Sequence, residues 1–165
     1  MKASDRYKDK VVDLPQLQQR VARWRFLGRS VVFTNGCFDI LHNGHLELLS
    51  CAAAQGDVLV VGVNSDSSVS RLKGPERPVN KESFRVGLLA ALAMVDAVCV
   101  FGEDTPARLV SAIVPDVLVK GGDYAPDEIV GADTVRAAGG EVLVVPLLEG
   151  HSTTNTIGRI RSARR

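Results

Sequence analysis

Five short apolar runs alternate with stretches of helical spacing along this chain. The runs cover residues 31–34, 58–63, 97–101, 117–119 and 142–145. They are rich in valine and apolar at successive positions, the pattern of strands buried on both faces. Between them, the spacing predicts helices over 44–54, 83–94, 106–113 and 129–138, with a last helix over 154–161. An earlier helix is signalled by Asp13 as its cap, Pro15 in its first turn, Leu17, Val21, Trp24 and Leu27 at helical intervals, and Gly28 as its stop. Strand, helix, strand repeated this way predicts a single α/β domain. It should be Rossmann-like, with a mainly parallel five-stranded sheet flanked by helices. Residues 1–29 read as a helical lead and 30–165 as the domain proper. The most loop-like stretch is KGPERPVNK, residues 73–81, with two prolines, a glycine and several charges.

Ligands of such sheets gather at the carboxyl ends of the strands, so the chemistry should stand there. The first run leads into TNGCFDILHNGH, residues 34–45. His42 and His45, three apart at a helix start, can lie on one face. Gly44 leaves room for close approach of a ligand to the backbone. Free amides and the positive end of the helix dipole favour a phosphate at this place. Two imidazoles add directed donors without a full charge, which suits a transition state gathering negative charge on phosphorus-bound oxygens. The same pair, with Cys37 and Asp39 nearby, also has the residue types of a zinc site. That reading lacks a clear closing ligand, so phosphate is preferred and no metal ligand is assigned. Cys37 as a nucleophile lacks a histidine–acid arrangement to support it, and a small packing residue is the better reading.

Two further motifs end strands. In EGHSTTN, residues 149–155, consecutive hydroxyls either cap the last helix or hold a triphosphate tail. In VKGGDY, residues 119–124, Lys120 beside Gly121 and Gly122 offers a cation near exposed backbone, and a tight turn with a solvated lysine explains it equally well. Lys73, Arg77 and Arg85 follow the second run and are placed to close over phosphates. Asn64, Ser65 and Asp66 end that run, with Asn64 and Asp66 taken as ligand contacts. No triad, carboxylate pair or covalent nucleophile stands out. An acceptor that is already a phosphate ionises with a second pKa of about 6 and needs no general base. The task is then to position and neutralise two anions, with Mg2+ on the triphosphate, held largely by phosphate oxygens and water.

Composition narrows the classes. The 165 residues suffice for one domain with a hydrophobic core. A formal net charge of +1 gives no reason to expect nucleic acid or an acidic membrane as partner. Arg159, Arg161, Arg164 and Arg165 read as a solvated tail. Three cysteines without CxxC spacing (Cys37, Cys51, Cys99) point to a reducing cytoplasm, and no signal or membrane segment is evident. A homo-oligomer is expected.

At these motifs the chain resembles the cytidylyltransferase-like nucleotidyltransferases, which carry an HxGH motif and a C-terminal Ser/Thr motif. Within them it is most similar to the branch that adenylylates D-glycero-β-D-manno-heptose 1-phosphate, through TNGCFDILHNGH, VNSDSSVSRLKGPERPVN (63–80), EDTPARL (103–109), LVKGGDY (118–124) and GGEVLVVPLLEGHSTTN (139–155). The resemblance implies transfer of AMP from ATP to a sugar 1-phosphate with release of pyrophosphate. It implies that Thr34, Asn35, Gly36, Cys37 and Phe38 line the nucleotide and that His42 and His45 bind its phosphates. Lys73 would neutralise the triphosphate or the acceptor phosphate. Lys120, Gly121, Gly122 and Asp123 would contact nucleotide or sugar, Ser152, Thr153, Thr154 and Asn155 would complete the triphosphate site, and Asp39 would orient the loop. Relatives often carry this domain behind a sugar kinase; the short lead here resembles the stand-alone form. Glycerol-3-phosphate cytidylyltransferases carry an arginine where this chain has Leu147, which argues against that alternative. Pantetheine-phosphate adenylyltransferase lacks KGGDY. A non-catalytic nucleotide sensor would usually show a damaged HxGH motif, and this one is intact.

Overall fold

In the computed structural model, which describes residues 3–122, 125–146 and 153–162, each of the five apolar runs forms a strand, and a sixth precedes them. The strands are β1 (Val11–Val12), β2 (Val31–Gly36), β3 (Val58–Asn64), β4 (Ala97–Phe101), β5 (Val117–Gly121) and β6 (Glu141–Val145). All pair in parallel, in the order β1-β4-β3-β2-β5-β6. The single α/β domain is therefore as expected, but the sheet has six strands, not five. Two residues are too short for any periodicity to declare. Val11 and Val12 become a strand only because they align with Val98 and Cys99 of β4.

Helix α1 (Leu14–Phe26) starts as its caps predict: the Asp13 carboxylate accepts from Gln16 N at 2.8 Å while Asp13 N donates to Gln16 Oε1 at 3.2 Å. Leu17 and Val21 are buried, and Gly28 turns the chain with φ +72°. The remaining helices are α2 (Asn43–Ala53), α3 (Asp66–Lys73), α4 (Glu82–Ala91), α5 (Ala107–Ile113), α6 (Ala132–Ala137) and α7 (Thr153–Ser162). Helix α3 was not expected, because Val69 is its one buried large apolar residue and no stripe marks it. Its start is a polar signal instead, Ser65 accepting from Ser68 N at 3.2 Å. Helix α6 begins later than predicted because Gly131, at φ +94°, breaks helical geometry before it.

Two apolar layers sandwich the sheet. Leu17 and Val21 of α1, Leu109, Val110 and Ile113 of α5, and Ala132 and Val135 of α6 pack with Val31 and Phe33 on one face. Leu49 and Ala52 of α2 and Val86, Leu89 and Ala90 of α4 pack with Val32 and Leu59 on the other. Alternate residues of β2 thus feed opposite layers. Going from β2 the chain moves to β3 and β4, then returns past β2 to β5 and β6. The direction of winding switches between β2 and β5, and a crevice opens beyond their carboxyl ends. Among the described residues, no helix is long and apolar enough to cross a membrane.

Candidate active site at the switch point

A cavity of 560 Å³ lies over the ends of β2, β3 and β5. Its floor carries Asn35, Gly36, Cys37, Asn64, Lys120 and Gly121; its walls include Phe38, Asp39, His42, Gly44, His45, Lys73, Arg77 and Thr153. Residues from motifs far apart in sequence thus meet at one place.

The two histidines behave as their spacing requires. His42 is the N-cap of α2 in an extended conformation, and its side chain does not cap the helix. The first amides and the helix dipole are therefore left for an anion. The rings of His42 and His45 stack with centroids 3.8 Å apart and an interplanar angle of 24°. On its other side His45 meets the Phe38 ring at 5.2 Å. Burial, and then the proximity of His42, pushes the His45 pKa down to about 4. At neutral pH it is a neutral donor, which can offer N–H to a phosphate without the desolvation cost of a buried charge.

That depression makes a stability prediction. The unfolded imidazole takes up a proton near 6.5, whereas the folded one waits until about 4. The stability linked to neutral His45 is therefore full above 6.5 and falls as pH drops from there towards 4. In urea unfolding between about pH 7 and about pH 4.5, the native protein should lose about 2–3 kcal/mol more than His45→Asn does. Equal losses would mean that His45 is not held neutral.

The loop before α2 is tied down from several sides. Phe38 sits at φ +48°, a left-handed conformation that costs a non-glycine residue about 1–2 kcal/mol. Its ring lies over Gly36, where an added Cβ would come within 3.2 Å of the ring. Asp39, 2% exposed, accepts from Arg77 Nε at 2.6 Å, Val79 N at 3.0 Å and Asn80 N at 2.9 Å. Burial alone would push its carboxyl up, but the amides of Asn80 and Val79 and the Arg77 guanidinium hold it below the ordinary carboxylate value. Asp39 is thus the clamp between the HxGH loop and residues 77–80. With its carboxylate so engaged it cannot close a zinc site on the histidines. Among the described residues there is no group of three or more His, Cys, Asp or Glu able to hold a metal.

Three cations line the cavity. Lys120 donates to Asn35 Oδ1 at 3.3 Å, and burial lowers its pKa. Lys73 ends α3, and Arg77 reaches the cavity from its bond to Asp39. Asn64 donates to Ser68 Oγ at 3.0 Å, which orients its amide beside Cys37.

Several expected site residues stand elsewhere. Arg85 does not close over the cavity. It is fully buried and spends its guanidinium on Cys37 O (2.6 Å), Asp66 Oδ1 (2.8 Å) and Asn80 O (3.0 Å). Asp66 does not line the cavity either: it is half-exposed and its Oδ1 accepts from Glu82 N at 2.8 Å as well as from Arg85. Thr34 is buried beneath the floor, and its hydroxyl has no partner among the described residues. Gly122 turns away at φ +133° and donates to Val145 O at 3.0 Å. Thr153 does reach the site, donating to Ile40 O at 3.4 Å. Asp123 and Ser152 lie outside the described residues, as do Leu147 and the side chains of Thr154 and Asn155.

The structure also adds wall residues without an assigned role: Leu48, Leu72, Asp104, Thr105, Pro106, and the turn Glu128, Ile129, Val130. Asp104 and its neighbours follow the carboxyl end of β4, so the strand-end rule alone would have pointed to them.

Known proteins resemble this chain in sequence and in fold. The cytidylyltransferase-like family profile matches residues 33–157. The "Bifunctional protein HldE" of Mesorhizobium japonicum is 57% identical over 156 residues, covering 94% of this chain and 32% of that protein. The protein of the same name from Gluconacetobacter diazotrophicus is also 57% identical, over 148 residues, with 90% and 31% covered. The chain thus spans about a third of the length of these relatives. Among solved structures, the lipopolysaccharide core biosynthesis protein of Thermoplasma volcanium superposes with a TM-score of 0.60 at 31% identity, covering 75% of this chain and all of that one. With the profile spanning β2 to α7, and with it both the HxGH and the Ser-Thr-Thr segments, this chain belongs to the cytidylyltransferase-like family.

Proposed function

We propose that this protein transfers AMP from ATP to D-glycero-β-D-manno-heptose 1-phosphate, giving ADP-heptose and pyrophosphate. The observation that carries the proposal is the stacked His42–His45 pair, neutral at His45, at an uncapped helix start beside the switch point. A sugar-phosphate oxygen attacks the α-phosphorus, the bond from that phosphorus to the bridging β-phosphate oxygen breaks, and pyrophosphate leaves. His42 and His45 donate to oxygens of the triphosphate as charge builds on them. Lys73, Arg77 and Lys120 neutralise the two anions that must approach each other. The "HldE" relatives and the lipopolysaccharide-core protein support the sugar assignment, as does the KGGDY segment.

Mg2+ bound to the triphosphate would add further neutralisation and polarise the leaving group. The donor set fits an ion carried in on the nucleotide, since Asp39 is engaged by Arg77 and two amides, and Asp104 by Arg71 at 2.7 Å. The setting expected for the reaction is the cytoplasm, with the protein a homo-oligomer.

Mixed with ATP, Mg2+ and heptose 1-phosphate, the protein should release pyrophosphate and form ADP-heptose. Unphosphorylated heptose, or heptose phosphorylated only at carbon 7, should give nothing. Preference for CTP with glycerol 3-phosphate would replace this reading, and tight ATP binding without any turnover would favour a sensor. Cys37→Ser should keep most of the activity, within about threefold. Burial raises the Cys37 thiol pKa, only partly offset by Lys73, Arg85, Arg77 and Lys120, so at neutral pH it is a thiol and not a nucleophile. A covalent nucleotidyl-enzyme that disappears in this variant would overturn direct displacement.

A further inference from the structure

Arg85 does not line the cavity, yet it holds the carbonyl of Cys37, a residue of its floor. It is among the largest fully buried side chains, and it is charged. Its three nitrogens reach three separate segments: Nη1 to the Cys37 carbonyl in the HxGH loop, Nη2 to Asp66 at the start of α3, and Nε to the Asn80 carbonyl in the loop before α4. Asp66 balances the charge and also binds Glu82 N at the start of α4. A guanidinium can do this because its donors are fixed in one plane and point in different directions; an ammonium offers a single point.

The carbonyl it holds immediately precedes Phe38, the residue in the left-handed conformation. That conformation lays the Phe38 ring between Gly36 and His45. A path of direct contacts therefore runs from Arg85 through the Cys37 carbonyl and the Phe38 ring to the His45 imidazole, which in turn stacks on His42. We infer that Arg85 is a positioning residue for the HxGH pair, holding the Cys37–Phe38 turn so that the Phe38 ring seats and shields His45. The inference bears on the proposed reaction, but the arrangement can be read without it.

The test is an NMR titration of the histidine side chains in Arg85→Lys, Phe38→Leu and the double variant, beside turnover. His42, His45 and His151 are the three histidines to be assigned. Once the turn slackens, water reaches His45, and its pKa should climb from about 4 towards the ordinary 6.5 in Arg85→Lys and in Phe38→Leu. Because both act along one path, the double variant should shift it no further than the larger single change. Turnover should fall at least about tenfold in each while KM for ATP moves less than about threefold, the pattern of lost geometry rather than lost binding. A folded Arg85→Lys protein with the His45 titration unmoved would overturn the inference, as would fully additive shifts. Should Arg85→Lys not fold, Phe38→Leu decides: an unmoved His45 pKa there breaks the path at its second link. The titration stands whether or not the native protein turns over heptose 1-phosphate, so failure of the proposed reaction and failure of this inference give different results.

Discussion

His45→Ala should lower turnover with ATP and heptose 1-phosphate by about 10²–10³, the usual effect of removing one preorganised donor to transition-state charge. Three features of the site make the loss large. With a pKa of about 4 the imidazole is neutral near pH 7, so in the proposed reaction it would act as a donor and not as a screened surface charge. It is fixed from both sides, by His42 at 3.8 Å and Phe38 at 5.2 Å, and pays little ordering entropy when the phosphate arrives. Its Nδ1 is buried and has no partner among the described residues, so that nitrogen anchors no part of the fold they make up. Turnover and kcat/KM should fall together, because the interaction strengthens as charge develops. Steady-state kinetics with a thermal melt on the same sample measures this. Turnover within about threefold of the native protein, with the fold intact, would remove His45 from the phosphate site.

Asp39→Ala should cost stability first and activity as a consequence. One nearly inaccessible carboxylate serves Arg77 and the amides of Val79 and Asn80, and the Asp39 carbonyl also accepts from Asn80 Nδ2 at 2.8 Å. Cutting away the carboxylate leaves a guanidinium that is only 16% exposed without its anion, and two amides without an acceptor. Breaking one side of a buried pair typically costs about 3–5 kcal/mol. Chemical denaturation should show a loss of that order, and KM should rise because Arg77 and the 77–80 loop are no longer held at the cavity. Asp39→Asn keeps the shape but turns an acceptor into a donor facing donors, so it should recover only part of the loss. The sign with pH follows from the depressed carboxyl. Its contribution is full above the ordinary value of 3.8 and is lost as pH falls below it. A loss under about 1 kcal/mol in Asp39→Ala would mean the loops are held by something else.

The strand runs and the histidine pair were legible because their causes are local. A strand buried on both faces must be apolar at successive positions, so β2 to β5 declare themselves in the sequence, and β6, half-buried at the sheet edge, keeps the same apolar run. A helix brings residues three apart together, so His42 and His45 meet wherever the helix is placed. Asp13 and Gln16 cap α1 by reaching three residues. By contrast α3 escaped notice, since it buries mainly Val69 and Ser68. Strand β1 escaped because pairing alone defines it.

The sequence by itself determined the α/β class, the parallel sheet and the stacking of His42 on His45, each through short-range periodicity and residue chemistry. Only the tertiary structure decided which charged side chains face the cavity. Arg77 and Arg85 lie eight positions apart, one in the loop and one in the helix that the sequence predicts, but neither setting says which of them faces the cavity. Arg77 lines the cavity, while Arg85 projects from the inward face of α4 and is swallowed between the HxGH loop and α3. Thr153 reaches Ile40 across most of the chain for the same kind of reason: β5 and β6 return past β2 to the far side of the switch point. Such contacts depend on the order in which strands pack. That order is set by the burial of both sheet faces at once, a property of the whole chain and of no single stretch of it.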